Sequence, residues 1–227
     1  MAMTVADRLN EVRARIERAA LAASRDPATV TLIAVSKTKD AAAIEEAYAA
    51  GQRAFGESYA QELAQKAELL ARLPDIEWHF IGHLQSNKAK LIAAHARVMH
   101  TIDSPSLAKE LARRVRNAGK PPLAVLIEVN IGGEAQKHGA TGSELQEVID
   151  AVRAEDALVL RGLMTIPPAG DLAIAKNVFD TLASLRNLHG GTASLPELSM
   201  GMSSDLEVAI AAGATMVRVG TAIFGER

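Results

Sequence analysis

The chain has 227 residues, enough for one large α/β domain or two small ones at roughly 150 residues per domain. Hydrophobic residues make up 48% and charged residues 23%, near the globular average, which excludes disordered and fibrous chains. With 25 basic and 27 acidic side chains the net charge is -2, without the basic excess of a nucleic-acid binder, and the absence of cysteine excludes disulfides, thiolate metal sites and cysteine nucleophiles.

Residues Met1 to Arg25 mix Arg8, Arg13, Arg15 and Arg18 with Asp7, Glu11 and Glu17 and lack the apolar run of a signal peptide; Thr4 to Ala23 is predicted to be helical. No stretch approaches the roughly 20 apolar residues of a membrane span. These features predict a cytoplasmic protein with no membrane association.

The first predicted strand is Thr29 to Ser36, followed by an alanine-rich helix at Ala41 to Ala50. Seven more strands are predicted at Arg53 to Glu57, Glu77 to Gly82, Val98 to Ile102, Leu123 to Asn130, Leu158 to Thr165, Glu197 to Met200 and Met216 to Gly220. Between them, Tyr59 to Leu73, Ser104 to Ala118, Ser143 to Ala154 and Ala173 to Leu188 carry apolar residues at three- and four-residue spacing. Ser104 and Ser143 are read as helix N-caps, and Gly51, Gly119, Gly190 and Gly213 as helix stops. Leu123 to Asn130 is apolar on both faces, as a strand of a parallel sheet covered by helices should be. Eight βα units predict an α/β protein folded as a closed (β/α)8 TIM barrel. An open doubly wound sheet is the alternative, but no G-x-G-x-x-G follows the first strand. No linker rich in Pro, Gly or Ser divides the chain, so a single domain is expected over 1–227, with 1–28 as an N-terminal helical extension and 29–227 as the barrel.

In such a barrel the chemistry lies at the C-terminal ends of the strands. The first strand delivers Lys37 there, either as a partly desolvated amine able to form a Schiff base or as a surface lysine that starts the next loop. The last two strands end in Ser199-Met-Gly-Met-Ser-Ser-Asp205 and Arg218-Val-Gly-Thr221, where barrels frequently bind phosphate. Gly201 and Gly220 allow close backbone approach, Ser203 and Ser204 can cap the following helix, and Thr221 starts a short helix. A plain N-cap is the competing reading for Gly-Met-Ser-Ser-Asp, and Asp205 rules out a G-x-S-x-G elbow. Arg218 shares a strand face with Gly220 and should line the same cavity, facing either an anion or a carboxylate such as Glu57 or Glu128. His79 and His83 stand four apart on a strand, about 13 Å, too far for one ion, so no metal site is expected. His79 is placed in the barrel near the ligand and His83 in the loop.

Six blocks carry a resemblance: Ala34-Val-Ser-Lys-Thr-Lys39, Phe55-Gly-Glu-Ser-Tyr59, Trp78 to Lys88, Arg161-Gly-Leu-Met164, Leu198 to Asp205 and Val217 to Gly225. In these the sequence resembles the pyridoxal 5'-phosphate (PLP) homeostasis protein family, whose fold is similar to the barrel domain of alanine racemase. The resemblance implies that Lys37 carries the cofactor as an aldimine, that Ser203, Gly220 and Thr221 hold its phosphate, and that Arg218 faces the pyridine nitrogen. Ser58 departs from the asparagine common in the family, while Asn130, Glu134, Lys137 and Gly139 keep its pattern.

The resemblance and the strand-end residues together imply a non-catalytic PLP-binding protein that buffers the cofactor or delivers it to PLP-dependent apoenzymes, expected as a monomer. An arginine at the pyridine nitrogen disfavours ring protonation and weakens the electron sink. Racemisation requires acid and base groups on two faces of the cofactor, and alanine racemase takes a tyrosine from a second domain. The only tyrosines here are Tyr48 and Tyr59, both placed on barrel helices. A single-domain PLP-dependent amino-acid racemase is the alternative, and a Schiff-base aldolase without cofactor is a third reading.

Overall fold

A computed structural model describes residues 3–133 and 138–226. Its eight strands are β1 (Thr31–Val35), β2 (Ala54–Glu57), β3 (Glu77–Phe80), β4 (Val98–Ile102), β5 (Leu123–Glu128), β6 (Leu158–Met164), β7 (Glu197–Ser199) and β8 (Met216–Val219). They pair in parallel, each with its sequence neighbour, and β1 closes on β8 through Thr31↔Met216 and Ile33↔Arg218. The closed barrel is the TIM-barrel fold expected from the eight βα units.

The helices among the described residues are α1 (Val5–Ala22), α2 (Ala41–Ala49), α3 (Ala60–Leu69), α4 (Ala89–His95), α5 (Pro105–Asn117), α6 (Leu145–Arg153), α7 (Leu172–Leu188), α8 (Gly191–Ser194), α9 (Leu206–Ala211) and α10 (Thr221–Phe224). In α5 the Ser104 hydroxyl accepts from the Leu107 N–H, Pro105 occupies the first turn, and Leu107, Leu111 and Val115 form one buried face. The extra helix α1 starts with a capping box between Thr4 and Asp7 and buries Leu9, Val12, Ile16 and Ala20. It packs across α2, α9 and α10. No helix among the described residues is long and apolar enough to cross a membrane.

Several boundaries differ from the sequence reading for identifiable reasons. Pro27–Thr29 forms a 3-10 turn capped by Asp26, so the first strand starts at Thr31. Ser143 does not cap α6, because Glu144 closes that turn by accepting from the Thr141 N–H and hydroxyl. Ser203 and Ser204 do not cap α9 either; Asp205 is its N-cap, and the Asp205 carboxylate accepts from the Met202 N–H. Gly51, Gly119, Gly190 and Gly213 all have positive φ at helix ends, as helix stops should.

Two hydrophobic environments coexist. The large cluster lies between the strands and the helices and contains Phe55, Phe80, Phe179, Leu63, Ile92 and Leu111. Two small clusters, Ile33 with Ala54 and Met216, and Val98 with Leu126 and Met164, are separate from it. Residues two apart share a strand face, so Arg218 lies on the face of Met216, Glu128 on that of Leu126, and His100 on that of Val98. The inner face of the barrel therefore passes from apolar to polar towards the strand C-termini.

The loops at that end pack tightly. A Cβ on Gly82 would lie 2.0 Å from the Ser58 carbonyl oxygen, a backbone atom with little freedom to withdraw. Gly82→Ala should therefore lower stability in urea melts by at least about 1–3 kcal/mol, the usual cost of overpacking. Gly142→Ala should be close to neutral, since nothing lies within 4 Å of a Cβ there. Equal stability of the two variants would contradict this packing.

Candidate functional site

A cavity of about 410 Å³ opens at the C-terminal ends of the strands, within the usual range for small-molecule sites. It is lined by Lys37 and Lys39 after β1, Ser58 after β2, Ile81 after β3, Ile166 after β6, Met202, Ser203 and Ser204 after β7, and Arg218, Gly220 and Thr221 in and after β8. Five of the six residues expected at a ligand site, Lys37, Ser203, Arg218, Gly220 and Thr221, thus share one cavity. His79 does not line it.

Lys37 is held from both sides. Thr38 has a φ of 65°, an uncommon conformation for a β-branched residue, and its N–H donates to Glu62 Oε1 at 2.6 Å. Glu62 also accepts from Lys66 Nζ at 2.7 Å, and the same amine donates to Glu57 Oε1 at 2.8 Å and to the Ser36 carbonyl at 2.7 Å. The Ser36 hydroxyl donates to Glu57 Oε1 at 2.6 Å. One buried lysine therefore ties the residues flanking Lys37 to β2 and α3. Burial pushes the Glu57 pKa up, while Lys66 and Ser36 pull it back. Lys39 is engaged elsewhere, donating to the carbonyls of Gly225 and Glu226.

Next to the end of β1, after the paired strand β8, the Thr221 hydroxyl donates to Ser203 Oγ at 3.2 Å, so two hydroxyls from successive loops converge. Arg15 of α1 fixes the Ser203 backbone by donating to its carbonyl at 3.0 Å while forming a bidentate pair with Glu207. Gly220 leaves room beside them, since a Cβ there would lie 3.3 Å from the Val35 carbonyl oxygen. Gly201, at φ 95°, lets the loop turn against Ala209, whose methyl would sit 2.5 Å from an added Cβ.

Arg218 is buried, and among the described residues it pairs with no carboxylate, contrary to the ion pair with Glu57 or Glu128 considered from the sequence. Its Nη1 donates to Ser199 Oγ at 2.7 Å and its Nη2 to the Thr165 carbonyl at 3.0 Å. Burial pushes its pKa down to about 10, with Glu128 and Asp205 acting in the other direction, so it remains charged near neutrality. Glu57 is instead claimed by Lys66. Glu128 is pushed up to about 7, chiefly by burial and further by Asp103, against the pull of Arg218.

His79 lies behind this arginine and does not line the cavity. Its Nδ1 is 2.9 Å from His100 Nε2, and His100 Nδ1 is 2.8 Å from Ser199 Oγ. Since Ser199 Oγ accepts from Arg218, its proton is available to His100 Nδ1, which assigns the proton of His100 to Nε2 and makes His79 Nδ1 an acceptor. Sequence spacing gave no sign that His79, His100 and Ser199 meet, because they belong to three different strands.

Tyr48 bonds Asp75 and stacks with Arg53, and Tyr59 is exposed; neither lines the cavity. Asn130 and Gly139 border a neighbouring loop region, while Glu134 and Lys137 lie outside the described residues.

Residues 8–227 match the alanine racemase N-terminal domain family. A Pseudomonas aeruginosa protein named pyridoxal phosphate homeostasis protein is 50% identical, with 99% of this chain and 96% of that one aligned. The chain belongs to the pyridoxal phosphate homeostasis protein family. A second member, from Escherichia coli K12, is 46% identical over 98% of this chain and 97% of its own. Among solved structures, PipY of Synechococcus elongatus with PLP bound superposes with a TM-score of 0.83, at 38% identity over 98% of this chain and 100% of PipY. Alanine racemase of Corynebacterium glutamicum is similar in fold, with a TM-score of 0.67 at 19% identity, this chain covering 61% of it.

Two outcomes test this geometry. Lys66→Met leaves Glu57 buried without its cation and should cost about 3–5 kcal/mol, and adding Glu57→Gln should recover most of that loss. An unchanged urea midpoint in the single variant would contradict the clamp. The histidines predict acid sensitivity. Burial lowers His79 to about 4 and His100 well below its ordinary value, in each case below the unfolded 6.5, so stability is full above about 6.5 and is lost as the pH falls toward 4. His79 alone accounts for about 3 kcal/mol of that loss at pH 4. His79→Gln should show a shallower fall in Tm between pH 7 and 4 than the wild type, and identical slopes would refute the assignment.

Proposed function

We propose that the chain works as one binding unit for pyridoxal 5'-phosphate, a non-catalytic carrier that buffers the cofactor in the cytoplasm and passes it, as a monomer, to PLP-dependent apoenzymes. The observation that carries this reading is the meeting of Lys37, Ser203, Thr221 and Arg218 in one cavity. The donor set suits the group: an amine for its aldehyde carbon, two hydroxyls and the Gly220 backbone for its phosphate, and a guanidinium for its ring nitrogen. PLP supplies an aldehyde that bonds amines and a ring that withdraws electrons from the carbon attached to them. The PLP-bound state of PipY, at 38% identity over 98% of this chain, supports the assignment.

Each residue has a defined part. Lys37 Nζ would hold the aldehyde carbon, the carbonyl oxygen leaving as water, in a position fixed by the Lys66 clamp next to it. Ser203 and Thr221 would donate to the phosphate oxygens. Arg218, pinned by Ser199 and Thr165, would face the ring nitrogen and disfavour a proton there, which would limit electron withdrawal. The positions of Tyr48 and Tyr59 outside the cavity favour a carrier over an amino-acid racemase, because general acid–base chemistry on the second face requires a group within hydrogen-bond reach.

Borohydride reduction of the purified, PLP-loaded protein followed by peptide mapping tests the covalent assignment. The pyridoxyl group should be found on Lys37, and Lys37→Ala should be folded but colourless. An adduct chiefly on Lys39, whose amine already donates to two carbonyls, would overturn the assignment.

A further inference from the structure

His83 and His79 part company in the structure, and His83 meets different partners. The loops following β3, β4 and β5 bring His83, Asp103 and His138 together, with one ligand atom from each lying within 4.8 Å of the others. His83 Nδ1 is 3.5 Å from Asp103 Oδ2, and the two imidazole rings stack with centroids 3.5 Å apart and planes 8° from parallel. We propose that these three side chains form a binding site for one divalent transition-metal ion, with water completing the coordination shell.

The donor set points to the class of ion. Two imidazoles and one carboxylate, with no thiolate, suit Zn(II), Co(II), Ni(II) or Cu(II), whereas Mg(II) and Ca(II) take oxygen ligands. Ligands about 2.0–2.1 Å from a tetrahedral ion lie about 3.3 Å from one another, so the triad must contract by about 1.5 Å at most. That movement is accessible. Both imidazoles are exposed, and swinging one ring out of the stack turns its nitrogen towards the shared point without disturbing the core. The carboxylate is already oriented: the Ser104 hydroxyl donates to Asp103 Oδ1 at 2.9 Å, which leaves Oδ2 facing His83. Hydrogen bonds of this kind commonly orient metal ligands.

The position is also informative. His138 lines a cavity of about 230 Å³ whose wall includes Ile166, a residue that also lines the cavity of Lys37. His79 lies in β3 and His83 in the loop after it, and the two do not meet. The triad is assembled by loop closure over three consecutive strands, which no local spacing reveals.

The test uses untagged full-length protein stripped with chelator and titrated with Co(II), followed through its visible d–d absorption and by calorimetry. The wild type should bind one equivalent per chain. His83→Ala, His138→Ala and Asp103→Asn should each weaken binding roughly tenfold or more, with unchanged far-ultraviolet circular dichroism. His189→Ala, a histidine that bonds Gln146 elsewhere, should bind as the wild type does. Failure of the wild type to take up one equivalent would overturn the site, as would binding that survives substitution of either triad histidine. PLP absorbance offers an independent control, since a metal result of either sign leaves the cofactor assignment untouched.

Discussion

Arg218 carries a positive charge inside the barrel with no carboxylate in contact among the described residues, and much of the surrounding architecture compensates for that. Desolvation lowers its pKa to about 10, which leaves the guanidinium charged at neutral pH but held by neutral acceptors, the Ser199 hydroxyl and the Thr165 carbonyl. A buried cation costs several kcal/mol unless its donors are satisfied. Ser199 can accept that bond while giving its own proton to His100, and His100 in turn to His79. These two neutral histidines surround the charge without competing with it. The more distant Glu128 and Asp205 contribute attraction without closing an ion pair. The arginine therefore retains donor capacity towards the cavity, which a direct carboxylate pair would have consumed.

A second buried charge organises the surroundings of Lys37. Lys66 reaches from α3 to Glu57, Glu62 and the Ser36 carbonyl, and Glu62 in turn accepts from the backbone of Thr38. Lys37 is thereby flanked by two immobilised residues, one of them in a left-handed conformation. Breaking such a pair on one side costs more than the pair itself contributes, because the remaining charge stays buried. The barrel thus brings an amine and a buried guanidinium, from the ends of the paired strands β1 and β8, into one cavity of about 410 Å³ by two independent polar networks.

The barrel was legible because apolar runs such as Thr31–Val35 and Leu123–Glu128 alternate with helical stretches, and the strand-end rule then located Lys37, Arg218, Gly220 and Thr221 at one end of the barrel. Ser203 lay in the loop that barrels use for phosphate. What the sequence could not show was lateral contact between strands. The His79–His100–Ser199 chain draws on β3, β4 and β7, and the Lys66 clamp joins α3 to β2 and to Ser36 after β1; of all these contacts only Glu62–Lys66, four apart on α3, is a local spacing. His79 accordingly stands behind Arg218 and outside the lining of the cavity, a placement that only the fold reveals. Short helices such as α4 escaped notice for a different reason: seven residues give too few turns for a periodic signal.

The family shares its barrel with alanine racemase, but this chain spans only 61% of the Corynebacterium enzyme, and neither of its tyrosines lines the cavity. On the proposed reading, a cofactor held by Lys37 in the cavity that a charged Arg218 also lines would be stored in a chemically quiet form. The most direct measurement is hydrogen exchange at the α-carbon of single-enantiomer alanine, serine and glutamate incubated with PLP-loaded protein in deuterium oxide. The carrier account predicts no deuterium incorporation and no second enantiomer above the rate given by free PLP; catalytic exchange with turnover of about 1 per second or faster, the ordinary range for enzymes, would contradict it.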